Sequence, residues 1–343
     1  MLKKCSNCGG ELKFSPKDKG NLCDSCGSVF PIEYVPEFVK KPFEESKKMP
    51  EDNISDSMKN MRCKSCGANV LLTKLQVQSY CPYCGSSTVD ESESKKLMYI
   101  DSIIPFSFGK AEALAKFKHA VNKRFYANKN VLKSVKESDI HGSYINAFVF
   151  DFDTRSSYSG TFSYQRTYTD SDGDTRSETV YKHVSGVYEK IFSNLAVEAN
   201  SNLEQRELSS VEPFEYVSAV DFNENFMYGY MLEYQDKMFN DCVEIAEGLI
   251  RSNIERALLA KHHCDRIVSI KLDTQYFDKK YNYCLLPIYF VSTQVKDKKY
   301  RVVMNGQTGL VGKLPKSVGR ILLTVFLIIF GLVGISLFVA FLA

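Results

Sequence analysis

The sequence predicts an α+β fold class in three parts. Two small cysteine-framed units come first, an α+β globular domain follows, and an uncharged apolar helix closes the chain. Three observations predict this. Eight of the eleven cysteines fall within the first ninety of 343 residues, in a pattern that repeats. From about residue 98 to 313, helix-period and strand-period stretches of apolar residues succeed one another. The last twenty-three residues carry no charge. With 44 Lys+Arg against 41 Asp+Glu the formal charge is +3, which argues against a strongly basic nucleic-acid coat. The composition is 44% hydrophobic and 25% charged, that of a folded rather than a disordered chain.

The cysteine pattern comes first. Cys5-x-x-Cys8 is followed after fourteen residues by Cys23-x-x-Cys26, and Cys63-x-x-Cys66 after fourteen residues by Cys81-x-x-Cys84. Gly9, Gly27, Gly67 and Gly85 follow the four pairs. A C-x-x-C turn presents two thiolates to one ion, and the glycine lets the backbone curl around them. Two such knuckles make a tetrahedral four-sulfur site, and the spacer holds a hairpin, for example Glu11–Phe14 with Asn21–Leu22. The pattern predicts two structural Zn2+ sites, in ribbons at 1–30 and 61–90. Disulfides would require an oxidising compartment, an iron–sulfur cluster also takes four cysteines, and redox C-x-x-C chemistry would require a thioredoxin-like surround. The regular paired knuckles favour zinc over each. With all ligands thiolates, neither site leaves a position for substrate or water.

Ribbons bind DNA, RNA or protein. Met1–Phe30 carries five Lys against three acids, and Met61–Asp90 carries Arg62, Lys64 and Lys74 against Asp90. These mild excesses predict weak phosphate binding. Tyr80 and Tyr83 either stack bases or cover the second hairpin, and the charge balance favours the cover.

Residues 31–60, rich in Lys, Glu, Pro and Ser, read as a flexible linker. In the domain at 98–313, Ser107 is placed to cap a helix over 110–127, with Leu114, Phe117, Val121 and Phe125 at helical spacing. Strands are predicted at 144–152, 158–168 and 179–188, with a turn at Asp170–Asp174 that is only faintly like a calcium loop. A helix is predicted over 236–262, its stripe Met238, Cys242, Ile245, Leu249, Ile254 and Leu258. Strands at 267–277, 283–295, 300–304 and 310–311 complete the domain, with a turn signal at Asn305-Gly306. Helix then Tyr144–Phe150, and helix then Tyr283–Tyr289, suggest a duplicated α-β-β unit.

No catalytic constellation is present, and the chain is read as not an enzyme. His262, His263 and Cys264 point in different directions on a helix and make a poor chelate. Asp151 and Asp153 on one strand end do not by themselves make an acid–base site. No phosphate-binding P-loop occurs.

No apolar stretch follows Lys3 and Lys4, so no signal peptide is expected. Ile321 to Ala343 as a helix would be roughly 34 Å long, enough for a hydrocarbon core of ~30 Å. Lys313, Lys316 and Arg320 precede it, which predicts a tail-anchored protein of the cell membrane, single-pass, with its bulk on the cytoplasmic side.

The order of parts, with Ile104-Pro105-Phe106, Tyr144–Asp151, Ser185-Gly186, Pro213-Phe214, Leu286–Tyr289 and Asn305–Gly309, resembles the bacterial membrane-anchored TFIIB-type zinc-ribbon-containing proteins. Phe148 and Tyr289 stand where that family often has Trp, and Asn146 where it usually has proline. The resemblance implies an adaptor at the membrane, in envelope-stress or membrane-maintenance assemblies, with phage-shock-A-type or flotillin-like protein partners. The reading is therefore a zinc-binding adaptor that recruits protein partners, without a small-molecule substrate. Its alternative is a membrane-associated nucleic-acid-binding protein, in the manner of a transcription or replication factor.

Overall fold

The computed structural model describes residues 4–48, 58–73, 81, 83–84, 86, 89–91, 99–129, 134–233, 235–295, 298–317 and 319, with isolated positions between 321 and 328. The chain is predominantly β, and this corrects the α+β expectation. The first unit is a three-stranded antiparallel sheet of β1 (Leu12–Ser15), β2 (Gly20–Cys23) and β3 (Val29–Pro31). The second, β5 (Met58–Cys63), β6 (Asn69–Thr73) and β7 (Val89–Glu91), is continuous with the main sheet. That sheet is built on three very long strands: β9 (Ile140–Thr169), β10 (Thr175–Glu198) and β13 (Arg266–Val295).

Two of these strands merge segments that hydrophobic patterning separates. Predicted strands at 144–152 and 158–168 are both part of β9, thirty residues and roughly 100 Å long if straight. The inner face continues between them through Thr154 and Ser156, both buried. Thr154 Oγ1 donates to the Lys190 carbonyl at 2.7 Å, and Ser156 Oγ lies 2.9 Å from Thr274 Oγ1. Small hydroxyls satisfied inside the sheet keep the alternation of faces that a hydropathy reading loses. Likewise β13 joins 267–277 to 283–295 through an irregularity between Phe277 and Lys280, where Asp278 has φ 43°.

The central pair β9 and β13 runs antiparallel from Ser163–Arg266 to Ile140–Val291. Where the two strands are buried on both faces, even positions of β9 (Tyr144, Phe148, Phe150) join one hydrophobic cluster. Odd positions (Ile145, Ala147, Val149) join a second on the opposite face. The first cluster is covered by α1 (Lys110–Lys123) and α3 (Phe239–His262). Residues 203–219, which contain the short α2 (Gln205–Leu208), pack into the second together with the second cysteine unit.

Both long helices fall close to expectation, with displaced ends. α1 buries Ala113, Phe117 and Val121, but stops before Phe125, which is exposed. Its N-cap is Gly109 rather than Ser107. α3 buries Cys242, Ala246, Ile250, Ile254 and Leu258, one stripe at i,i+4 spacing, while Met238 is its exposed N-cap. His263 closes it in the left-handed conformation, φ 49°.

The duplicated unit is visible in the topology. β8 (Ser102–Ile103), α1, β9 and β10 are matched in order by β12 (Met231–Glu233), α3, β13 and β14 (Lys298–Asn305). The pairing is reciprocal. β8 lies parallel to β13 at Cys284 and Leu285, and β12 parallel to β9 at Ser143 and Tyr144. Each half thus lends its short first strand to the long strand of the other.

Residues 31–48 do not hang free as a tether. Pro36 bridges Val220, next to Asp221 in β11 (Val220–Asp221). β4 (Lys41–Pro42) pairs with β13, and the Val39 carbonyl accepts from Asn282 Nδ2 at 2.7 Å. Phe43 sits among Phe150, Phe152, Phe239 and Tyr281, with ring centroids 5.1–6.1 Å away.

The expected transmembrane segment is also corrected. Among the described residues no helix is long and apolar enough to cross a membrane. Residues 329–343 and parts of 321–328 lie outside the described residues. The integral-membrane partner, the single-pass topology and the cell-membrane location therefore have no support here.

Candidate metal centres

The eight predicted cysteines gather into two groups. Cys5, Cys8, Cys23 and Cys26 form one, and Cys63, Cys66, Cys81 and Cys84 the other. In each, all ligand atoms lie within 4.8 Å of one another. The first knuckle shows how the local sequence does this. The Cys5 amide donates to the Gly10 carbonyl at 2.9 Å, and the Gly9 amide returns to the Cys5 carbonyl at 2.8 Å. Cys23 with Ser28 and Gly27, and Cys63 with Ala68 and Gly67, repeat both bonds; Cys81 with Ser86 repeats the first. Gly9, Gly27 and Gly67 have φ of +74°, +75° and +78°, a conformation that side chains rarely adopt. The β1–β2 hairpin then brings the two halves of the first group together, in the register Leu12↔Cys23.

The spacing fits a tetrahedral ion. Zn–S bonds of ~2.3 Å imply sulfur–sulfur edges of about 3.8 Å. The Sγ pairs Cys5–Cys26, Cys8–Cys23, Cys63–Cys84 and Cys66–Cys81 are 3.6, 3.4, 3.7 and 3.4 Å apart. A disulfide would hold them at ~2.05 Å, and all eleven thiols are free. One cysteine of each knuckle is buried (Cys5, Cys23, Cys63, Cys81) and its mate is more exposed. The thiols are electrostatically unequal. The Ser28 hydroxyl and amide push Cys26 down to about 6, whereas burial pushes Cys66 up to about 11 and Cys81 higher still. A bound dication would displace the protons from all of them.

Both units are seated on the body of the protein. The Phe14 amide of β1 donates to the Tyr228 carbonyl at 2.8 Å, and its ring meets Phe226 edge-on at 5.1 Å. In the second unit β6 pairs with β12 through Leu71↔Leu232 and Val70↔Glu233. Tyr83 is only 5% exposed. Its ring lies 5.0 Å from Phe290, with the Arg301 guanidinium 5.6 Å away. It covers the ribbon, and no face is open for a base; Tyr80 lies outside the described residues. The signal for this docking, an aromatic beside a knuckle and an aromatic on a buried strand, is present in the sequence but names no pairing.

Other candidates have structural roles. His262 Nε2 lies 2.8 Å from the Tyr158 hydroxyl, and His263 is the helix cap. Asp151 pairs with Lys40 and accepts from the Asn194 amide at 2.8 Å. Asp170 Oδ1 accepts the amides of Asp172 and Asp174, which makes that loop a self-closed turn. Cys242 and Cys284 are core residues.

The chain is 26% identical over 330 residues to the "Uncharacterized protein YdjG" of Bacillus subtilis (strain 168), covering 93% of this chain and 91% of that protein. No family model and no solved structure matches. The resemblance to zinc-ribbon proteins thus holds in its coarser form, as two four-cysteine clusters at the N-terminus compatible with zinc ribbons. Nothing in these findings points to phage-shock-A-type or flotillin-like partners.

Proposed function

We propose that the chain is a zinc-stabilised scaffold that works by binding protein partners rather than by catalysis. Each four-cysteine group holds one Zn2+, and the metal is structural. One observation carries the reading. Both groups consist of four thiols at tetrahedral spacing, so an ion held by them has no open position for substrate or water. The metal organises units too small to have cores of their own. Because the second unit pairs with the main sheet and the first packs on Phe226 and Tyr228, the partner surface is a platform of ribbon and body together.

The test is capture of partners by the intact chain, with and without nuclease, compared with the Cys63→Ser/Cys66→Ser variant. The scaffold reading expects protein partners that survive nuclease and are lost from the variant. Recovery of nucleic acid alone, or of proteins that nuclease removes, would overturn it.

A further inference from the structure

Strand β10 pairs with β9 along one side, in unbroken register from Thr175↔Thr169 to Phe192↔Phe152. Among the described residues no strand pairs with its other side over this stretch. Such an edge is a row of free N–H and C=O groups, and proteins blunt it with a bulge, a proline, charges or a cover. Here the first irregularity comes only after Phe192, and the stretch holds no proline. Its two faces differ. Val184 and Tyr188 pack against the first hydrophobic cluster, with Lys261 Nζ of α3 5.8 Å from the Tyr188 ring. On the opposite face Tyr181, Val187 and Ile191 are 63%, 46% and 68% exposed.

The side chains along this edge select a partner for it. In an antiparallel pair related by a two-fold axis, residues equally far before and after the axis face one another. With the axis at Val184, Glu178 faces Lys190 of the second copy, and Lys190 faces its Glu178. On the exposed face Tyr181 meets Val187, and on the α3 face Val180 meets Tyr188, each pair again formed twice. Neighbouring registers lose this. An axis at His183 sets Arg176 against Lys190, and one at Gly186 sets Lys182 against Lys190. An axis at Ser185 sets Tyr181 against Glu189 and Glu178 against Phe192. Both charges are available. Glu178 meets Arg166 only at 3.8 Å, between exposed side chains. Lys190 Nζ lies 4.8 Å from the Phe192 ring, without a carboxylate partner among the described residues.

We infer that the free edge of β10 pairs with the same edge of a second copy of this chain, antiparallel and with the two-fold axis at Val184. The two sheets become one continuous sheet through residues 178–190 of both copies. The backbone bonds hold the copies together, and the two Glu178–Lys190 pairs fix the register. The inference goes beyond the scaffold reading, because the partner here is the chain itself.

The test is sedimentation equilibrium of the intact zinc-loaded chain, of the variants Glu178→Lys and Lys190→Glu, and of an equimolar mixture of the two variants. The wild type should be a dimer. Each variant alone sets like charges against one another at both ends of the paired stretch, and should dimerise about tenfold more weakly. In the mixture each variant supplies the charge the other lacks, so dimerisation should return to within about threefold of wild type. That recovery also shows both variants to be folded. A wild type that stays monomeric up to about 100 µM, variants that dimerise as tightly as wild type, or a mixture as weak as its components overturns the inference. Each of these outcomes leaves nuclease-resistant capture of other proteins untouched, so the two readings fall separately.

Discussion

Replacing Glu233 by Gln should make the protein more stable, and increasingly so as pH rises. Glu233 ends β12, the strand that joins the second ribbon to the sheet. It is fully buried, and neither carboxylate oxygen has a hydrogen-bond partner. Burial, reinforced by Asp236, holds its pKa well above the ordinary range, with Lys237 and Arg301 offsetting only part of the effect. The native state therefore keeps a proton that the unfolded chain releases near pH 4.3. Stability is full below that pH and falls as pH climbs toward the native pKa, by at most about 1.4 kcal/mol per pH unit for one group. Gln keeps the shape and removes the proton linkage. Urea unfolding of both proteins at pH 6, 7 and 8, with zinc saturating, measures the difference. Glu198 is likewise buried and pushed up by burial, but it is common to both proteins and cancels. A difference that is flat with pH, or one that shifts toward the wild type as pH rises, would refute the reasoning.

Gly160→Ala should weaken the central sheet, because a Cβ there would lie 2.2 Å from the Ser269 carbonyl oxygen and 2.9 Å from Ile270 Cα, both backbone. Forcing the two long strands apart costs on the order of 1–3 kcal/mol, read as a lowered urea midpoint without loss of zinc. Phe43→Ala should remove the ring that fastens residues 41–48 to Phe150, Phe152, Phe239 and Tyr281. The expected cost is about 3 kcal/mol, the low end for a phenylalanine truncation because the ring is only partly buried, with faster hydrogen exchange at Lys41 and Tyr281, which pair across β4 and β13. No change in exchange there would mean that the segment is held elsewhere.

How far the sequence is legible depends on the kind of information each part carries. The cysteine groups are legible because ligand spacing and the glycine after each knuckle encode a local geometry, and that geometry appears in three knuckles with φ near +75°. Helices α1 and α3 are legible from their stripes. The long strands are not, because Thr154 and Ser156 fill core positions with hydroxyls that only the partner strand satisfies. The polar composition of residues 31–48 reads as a linker. Their docking depends on single anchors, Val39 to Asn282 and Phe43 in an aromatic nest, which no local pattern announces.

Metal content of the full chain tests the account's central claim most directly. Native mass spectrometry of the intact protein, purified without added metal, should show two Zn2+ per chain, one in the Cys5→Ser/Cys8→Ser variant and one in the Cys63→Ser/Cys66→Ser variant. Iron with sulfide, fewer than two zinc ions in the intact chain, or a count unchanged by removing either pair would contradict it.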